Sequence, residues 1–202
     1  MIRDENRAGW FGASDTARIM GNWDTLTFRL WWLEKLGIRT NRIKTDAMQA
    51  GTAYEHRVLS FIGISRTDRQ IRYRILRLRV NLDGEDRGTI SEVKTHKGDF
   101  KVTKAYWQQC QVEMLATGKK CRIVSYRLTE EEYENFFLPI DQARIGYWPI
   151  ERDDQFLLYD YLPRLAYLAG CLRRRETPTK EGFSEWSKFS LFRKILSLYF
   201  RV

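Results

Sequence analysis

The feature that most constrains this chain is the stretch from Ile71 to Asp83, where apolar and polar residues alternate with a period of two. Successive side chains of an extended strand point to opposite faces, so the pattern specifies half-buried strands. Ile71, Tyr73 and Ile75 share one face, and Leu76, Leu78, Val80 and Leu82 share the next. The phase slips between Ile75 and Leu76, which calls for a bulge or a tight bend there. Asp83-Gly84-Glu85-Asp86 with Gly88 reads as a hairpin turn, and Thr89 to Thr95 as the returning strand.

Helical signals surround this hairpin. A short helix is expected from Ser14 to Met20, with Ser14 or Asp15 as its cap. A second covers Thr27 to Leu36 and stops at Gly37. A third covers Asp46 to Ile62, with Met48, Tyr54, Val58, Leu59 and Ile62 at helical spacing. Beyond the hairpin come a helix from Thr103 to Thr117 that ends at Gly118 and a strand from Cys121 to Leu128. Thr129-Glu130-Glu131 opens a turn or helix, and a long helix from Asp153 to Arg173 contains Pro163. The expected fold class is therefore α/β, a mixed central sheet flanked by helices. Residues 1–175 are read as one domain. Residues 176–202 are read as a C-terminal amphipathic tail in which Phe189, Phe192, Ile195, Leu196 and Tyr199 recur near helical spacing. Its default place is folded back on the domain, with a second subunit or a partner protein as the alternatives.

With 202 residues and a hydrophobic content of 43%, the chain can bury an ordinary core. Its net charge of +9 points to a polyanionic partner, nucleic acid first and an anionic membrane surface second. Cys110, Cys121 and Cys171 form no CxxC pair, which argues against a disulfide framework and a zinc knot. The first residues carry charge without an apolar run, and no stretch approaches the roughly 18 apolar residues of a membrane span. A soluble cytoplasmic protein is expected.

Strand phase also gathers the polar residues. Arg77, Arg79, Asn81 and Asp83 share a face, and so do Glu92 and Lys94, two apart on the returning strand. The hairpin can bring the two faces together and cluster Asp83, Glu92 and Lys94. Two carboxylates there suit a hard divalent cation, and a nearby ammonium can orient or deprotonate a water attacking phosphorus. The bland alternative is an exposed hairpin with an ordinary Glu–Lys surface pair.

Further motifs stand in order around this cluster, and together they resemble a known family. Asn81-Leu82-Asp83-Gly84 and Ser91-Glu92-Val93-Lys94-Thr95 resemble the core of the PD-(D/E)xK nucleases, with Leu82 where the family usually has proline. Arg7-Ala8-Gly9-Trp10-Phe11-Gly12-Ala13-Ser14 is similar to the Arg-x₆-Ser segment of the YqaJ-type phage recombinases and lambda exonuclease. Ala50-Gly51-Thr52-Ala53-Tyr54-Glu55 resembles their Gly-x-x-x-Glu helix, and Tyr106-Trp107-Gln108-Gln109-Cys110-Gln111 their Tyr-x-x-Gln-x-Gln helix.

The resemblance implies a restriction-endonuclease-like core and a Mg²⁺- or Mn²⁺-dependent deoxyribonuclease with one or two ions per site. Asp83, Glu92 and the carbonyl of Val93 would be metal ligands, with Glu55 completing the acidic site. Lys94 would position or activate the attacking water. Gln111 would contact the nucleophile or the scissile phosphate, with Gln109 beside it. Helical geometry pairs Gln111 with Gln108 rather than Gln109, so the choice between these glutamines stays open. Arg7 and Ser14 would bind a 5′ phosphate, in keeping with the free N–H groups at a helix N-terminus. Arg72, Arg74, Arg77 and Arg79, with Lys97, Lys101 and Lys104, would grip the DNA backbone or form a solvated basic face. Trp10, Trp23, Trp31 and Trp32 serve either core packing or base stacking. His56 and His96 are read as incidental.

The implied activity is 5′–3′ resection of double-stranded DNA ends for phage-type single-strand-annealing recombination in a bacterial host cytoplasm. A homo-oligomer, a trimer by resemblance, and an annealing protein are the expected partners. The alternatives are a structure-specific or restriction-like endonuclease, and a catalytically silent DNA-binding recombination protein.

Overall fold

In a computed structural model, which describes residues 7–40 and 45–188, the alternating segment forms two antiparallel strands. β1 (Arg66–Tyr73) pairs with β2 (Leu78–Glu85), with Tyr73 opposite Leu78. The phase slip falls in the turn between them, where Arg77 adopts a left-handed φ of 50°. That turn lets Leu78, Val80 and Leu82 all reach the core.

β2 is longer than the sequence implies. Asp83, Gly84 and Glu85 remain in the strand, and the turn is confined to residues 86–88. Its closure comes from Asp86, whose Oδ1 accepts the amides of Gly88 at 2.9 Å and Thr89 at 2.8 Å. Gly84 therefore serves close packing rather than the turn. A Cβ there would stand 2.6 Å from Leu59 Cδ2 and 2.9 Å from Ile64 Cγ2, both side chains being buried.

β3 (Thr89–His96) pairs with β2 only at Gly84–Ser91 and Glu85–Ile90. On its other edge it runs parallel to β4 (Lys120–Arg127) along its whole length. The crossover is helical, as parallel neighbours require. β5 (Ile145–Ile150) closes the sheet antiparallel to β4, giving the order β1-β2-β3-β4-β5. β5 has no counterpart among the expected elements; Gly146 and Pro149 interrupt its sequence signal.

The helices pack on both faces. The expected first helix is a 3₁₀ turn (Ala13–Asp15) running into α1 (Thr16–Ile19), followed by α2 (Leu26–Lys35). α3 (Asp46–Phe61) and the crossover helix α4 (Lys104–Thr117) start from Thr45 and Thr103, whose side chains accept the amides of Met48 and Tyr106. Gly118 ends α4 with a φ of 69°. α5 (Glu130–Glu134) is short. The long helix appears as a π segment (Phe156–Tyr161) continuing into α6 (Leu162–Arg174). Pro163 has no N–H to return and crowds the preceding turn, which accounts for the widening just before it.

α3 covers one sheet face, where Tyr54, Val58 and Leu59 meet Val93, Val124 and Tyr126. The other face is covered by α1, α2, α4 and α6, and Trp23, Trp31 and Trp32 are buried there, so these three serve the core. α7 (Lys180–Ser187) packs Phe183 and Trp186 against this second core, whereas the apolar tail positions from Phe189 to Tyr199 lie outside the described residues. All three cysteines are free and buried. Among the described residues, no helix is long and apolar enough to cross a membrane.

Candidate active site

The site begins where the sheet opens. The β2–β3 ladder stops at Ser91, so the next amide facing β2, that of Val93, needs another acceptor. Asp83 supplies it, its Oδ2 accepting the Val93 N–H at 2.8 Å. The N–H and C=O of one strand residue lie on the same edge, so the Val93 carbonyl faces this opening as well.

Glu92 is 2% exposed. Its Oε1 accepts from Lys94 Nζ at 2.6 Å and from Gln109 Nε2 at 2.5 Å. Its Oε2 is buried with no hydrogen-bond partner. Lys94 Nζ also donates to Gln109 Oε1 at 3.3 Å and lies 5.1 Å from the centre of the Tyr106 ring. Gln109 spends its remaining amide hydrogen on Glu113 Oε1, at 2.9 Å. Glu55 reaches the same opening from α3.

These carboxylates outnumber the cations beside them. Burial, then repulsion from Glu92 and Glu55, raises the Asp83 carboxyl well above its ordinary range despite Lys94. Burial, followed by Glu92 and Asp68, lifts Glu55 to about 7. Burial and Glu92 also hold Glu113 well above the usual range. For Lys94 burial works downward, but attraction to Glu92 and Asp83 outweighs it and raises its pKa. A hard divalent cation fits this donor set, because it would satisfy the unpaired Glu92 oxygen and relieve the mutual repulsion. Among the described residues, the groups of three ligand-type side chains whose atoms lie within 4.8 Å of one another are Glu55–His56–Asp68 and Cys110–Glu113–Cys121; Asp83 and Glu92 belong to neither.

The opposite wall is built from the start of the chain. Gly12-Ala13-Ser14-Asp15 turns into α1, leaving Ser14 exposed and Asp15 buried. Asp15 anchors the turn by accepting from the Gly12 amide at 2.8 Å, Trp31 Nε1 at 2.9 Å and Lys35 Nζ at 2.5 Å. Burial acts to raise its carboxyl, but Lys35 and the Gly12 amide prevail and hold it low. Burial pushes Lys35 down, more than Asp15 lifts it. A single cleft of about 330 Å³ is lined by Arg7, Ser14 and Lys35 together with Glu55, Asp83, Glu92 and Lys94. Trp10, Arg79 and Asn81 also line it.

The structure thus brings together Arg7, Ser14, Glu55, Arg79, Asp83, Glu92, Val93, Lys94 and Gln109 around one cleft. Gln111 and Arg77 are not among the residues that line it. Gln111 donates to the Glu151 carbonyl and accepts from the Asp153 amide, both at 2.7 Å, and so braces the segment after β5. Residues two apart on a helix are turned roughly 200° from each other, so Gln109 and Gln111 face opposite ways. Arg77 belongs to the β1–β2 turn rather than to β2, and its guanidinium lies 5.9 Å from the Trp10 ring. Of the lysines after β3, Lys97 pairs with Glu130 at 3.1 Å. His56, set aside by the sequence, lies 3.4 Å from Asp68, which lines the cleft. Asp68, Glu113 and the Asp15–Lys35 pair went unnoticed in the sequence. Only Glu113 carried a signal there, lying one turn beyond Gln109 on the same helix.

No family model matches this chain, and no curated protein matches it either. Among solved structures, an alkaline exonuclease from Laribacter hongkongensis is similar, with 24% sequence identity and a TM-score of 0.58. That match covers 84% of this chain and 94% of the exonuclease. A phage-related exonuclease from Haemophilus somnus 129PT has a TM-score of 0.58 at 15% identity, covering 90% of this chain and 96% of its own. At these identities the shared property is the fold, a mixed sheet flanked by helices of the restriction-endonuclease-like kind, consistent with the resemblance to YqaJ-type recombinases and lambda exonuclease.

Proposed function

We propose that this chain is a divalent-metal-dependent exonuclease that degrades one strand of double-stranded DNA from its 5′ end. The observation that carries the reading is the cluster of half-buried Asp83 and Lys94 around buried Glu92, with one Glu92 oxygen unpaired, in the same cleft as Arg7 and Ser14. Two exonucleases of the same fold support a nuclease role.

Asp83, Glu92, Glu55 and the Val93 carbonyl would hold Mg²⁺ or Mn²⁺, which supplies charge neutralisation at the scissile phosphate when bound. Lys94, fixed by Glu92 and Gln109, orients the attacking water and offsets charge that develops on phosphorus. Gln109 keeps that ammonium in place. Arg7 and the Ser14 hydroxyl take the terminal 5′ phosphate at the helix entrance, where free N–H groups favour an anion. Arg79 and the net charge of +9 favour the polyanionic backbone. A ring of subunits, a single-strand-annealing partner, and a place in phage recombination in the host cytoplasm complete the proposal.

The test is digestion of linear duplexes, with and without 5′ phosphates, beside covalently closed circles in Mg²⁺ or Mn²⁺. Loss confined to linear DNA, faster with a 5′ phosphate, is expected. Cutting of closed circles would replace the reading with an endonuclease, and no cleavage with either ion would leave a binding protein.

A further inference from the structure

We infer that Glu113 is a positioning residue, which fixes the side chain of Gln109 and thereby the geometry of Glu92 and Lys94. The inference deepens the nuclease reading of the site and rests on it. Glu113 lies outside every motif that carries the family resemblance, and it is fully buried.

The side-chain amide of Gln109 has two hydrogens and one oxygen to place. One hydrogen goes to Glu92 Oε1 at 2.5 Å and the other to Glu113 Oε1 at 2.9 Å. The oxygen accepts from Lys94 Nζ at 3.3 Å. Turning the amide over would set its oxygen against the Glu92 carboxylate and its NH₂ against the Lys94 ammonium, and would break the contact with Glu113 Oε1. Three partners therefore select one orientation.

Glu113 supplies the partner that is not itself in contact with Lys94. It stands one turn after Gln109 on α4, where residues four apart face each other, and its Oε2 lies 3.8 Å from the Cys121 thiol on β4. The carboxyl group is thus held between helix and sheet and does not follow Gln109 if that side chain turns. Without it, Gln109 keeps a carboxylate partner on one side only and is free to rotate away from Glu92. Lys94 would then lose an acceptor, and Glu92 Oε1 would lose a donor.

The test compares Glu113→Leu, which fills the space without an acceptor, with Glu113→Gln, which retains one. In ¹⁵N-labelled, metal-free protein, the Gln109 side-chain amide resonances, assigned through Gln109→Ala, are expected to move in Glu113→Leu and to stay near wild type in Glu113→Gln. With Mn²⁺ and linear duplex, kcat is expected to fall about 10- to 100-fold in the leucine variant, as for other residues that orient a metal site, with KM little changed. The glutamine variant should recover most of that loss. If Glu113→Leu does not fold, Glu113→Met replaces it, with similar length and no acceptor. Wild-type amide resonances in the leucine or methionine variant overturn the inference, as does a wild-type kcat. Should the wild-type protein cleave no DNA, the nuclease reading fails by itself and the amide resonances alone decide the role of Glu113.

Discussion

Asp83 and Glu85 stand two residues apart on β2, carry the same functional group and are held in opposite electrostatic states. Glu85 is 3% exposed, and burial alone would raise its carboxyl, yet hydrogen bonds from Lys119 and Arg69 hold it below its ordinary value. Lys119 Nζ approaches it at 2.7 Å and Arg69 at 3.0 Å. Asp83 receives one backbone N–H and faces Glu92 and Glu55, so burial first and then repulsion hold its carboxyl high. A carboxylate that the fold has already neutralised contributes to stability. One that the fold leaves short of positive charge waits for a cation.

The contrast can be broken at four points. The largest effect is expected at Lys94, the ammonium held against Glu92 in the deficient cluster. Lys94→Ala should lower kcat by about 10³-fold, within the range for loss of a positioned acid–base group, while DNA affinity measured in Ca²⁺ stays near wild type. Substantial turnover in that variant would mean that the cluster is not the reacting site.

Next comes the cation itself. At an Mn²⁺ concentration 100 times its Kd, the wild-type protein should gain about 2.7 kcal/mol of stability, read as a rise in Tm. Asp83→Asn should lose most of that gain. An equal gain in both proteins would place the ion elsewhere, for instance at Glu55–His56–Asp68.

At Glu85 the signs reverse. Glu85→Gln should cost about 2 kcal/mol at neutral pH, as expected for charge-assisted hydrogen bonds, with kcat retained. Because the folded carboxyl lies below its unfolded value of 4.5, its contribution is present above that pH and is lost as the pH falls through the folded value. Urea unfolding from pH 7 downward should therefore show a shallower acid loss in the variant. Parallel curves would show that Lys119 and Arg69 do not stabilise the charged form.

The smallest effect is expected at the far wall. Arg7→Ala should reduce the preference for a 5′-phosphorylated end by about tenfold, the size of one charge-assisted hydrogen bond. An undiminished preference would remove Arg7 from the phosphate pocket.

Much of the fold was legible because it is local. The alternation and phase slip located β1, β2 and the bend between them, helical spacing located α3, and Gly118 marked the end of α4, with the bounds of both helices right to within a residue. β5 was missed, since Gly146 and Pro149 obscure an edge strand that exists by pairing with β4. The hairpin turn was placed too early because Gly84 resembles a turn glycine; its cause is Leu59 and Ile64 arriving from a distant helix.

The candidate site divides in the same way. The sequence by itself determined the residue types and spacing of Asp83, Glu92 and Lys94, because strand periodicity fixes which side chains share a face. It also placed Glu55 and Gln109 on their helices. Only tertiary structure decided that Gln109, rather than Gln111, meets the cluster, because helix rotation becomes meaningful once α4 docks on the sheet. Only tertiary structure joined Asp15 to Lys35, put Asp68 on the cleft wall and gave Glu85 its cations. Charge in water is a property of a residue. Buried charge is a property of what is packed around it, and those neighbours come from segments far apart in the chain.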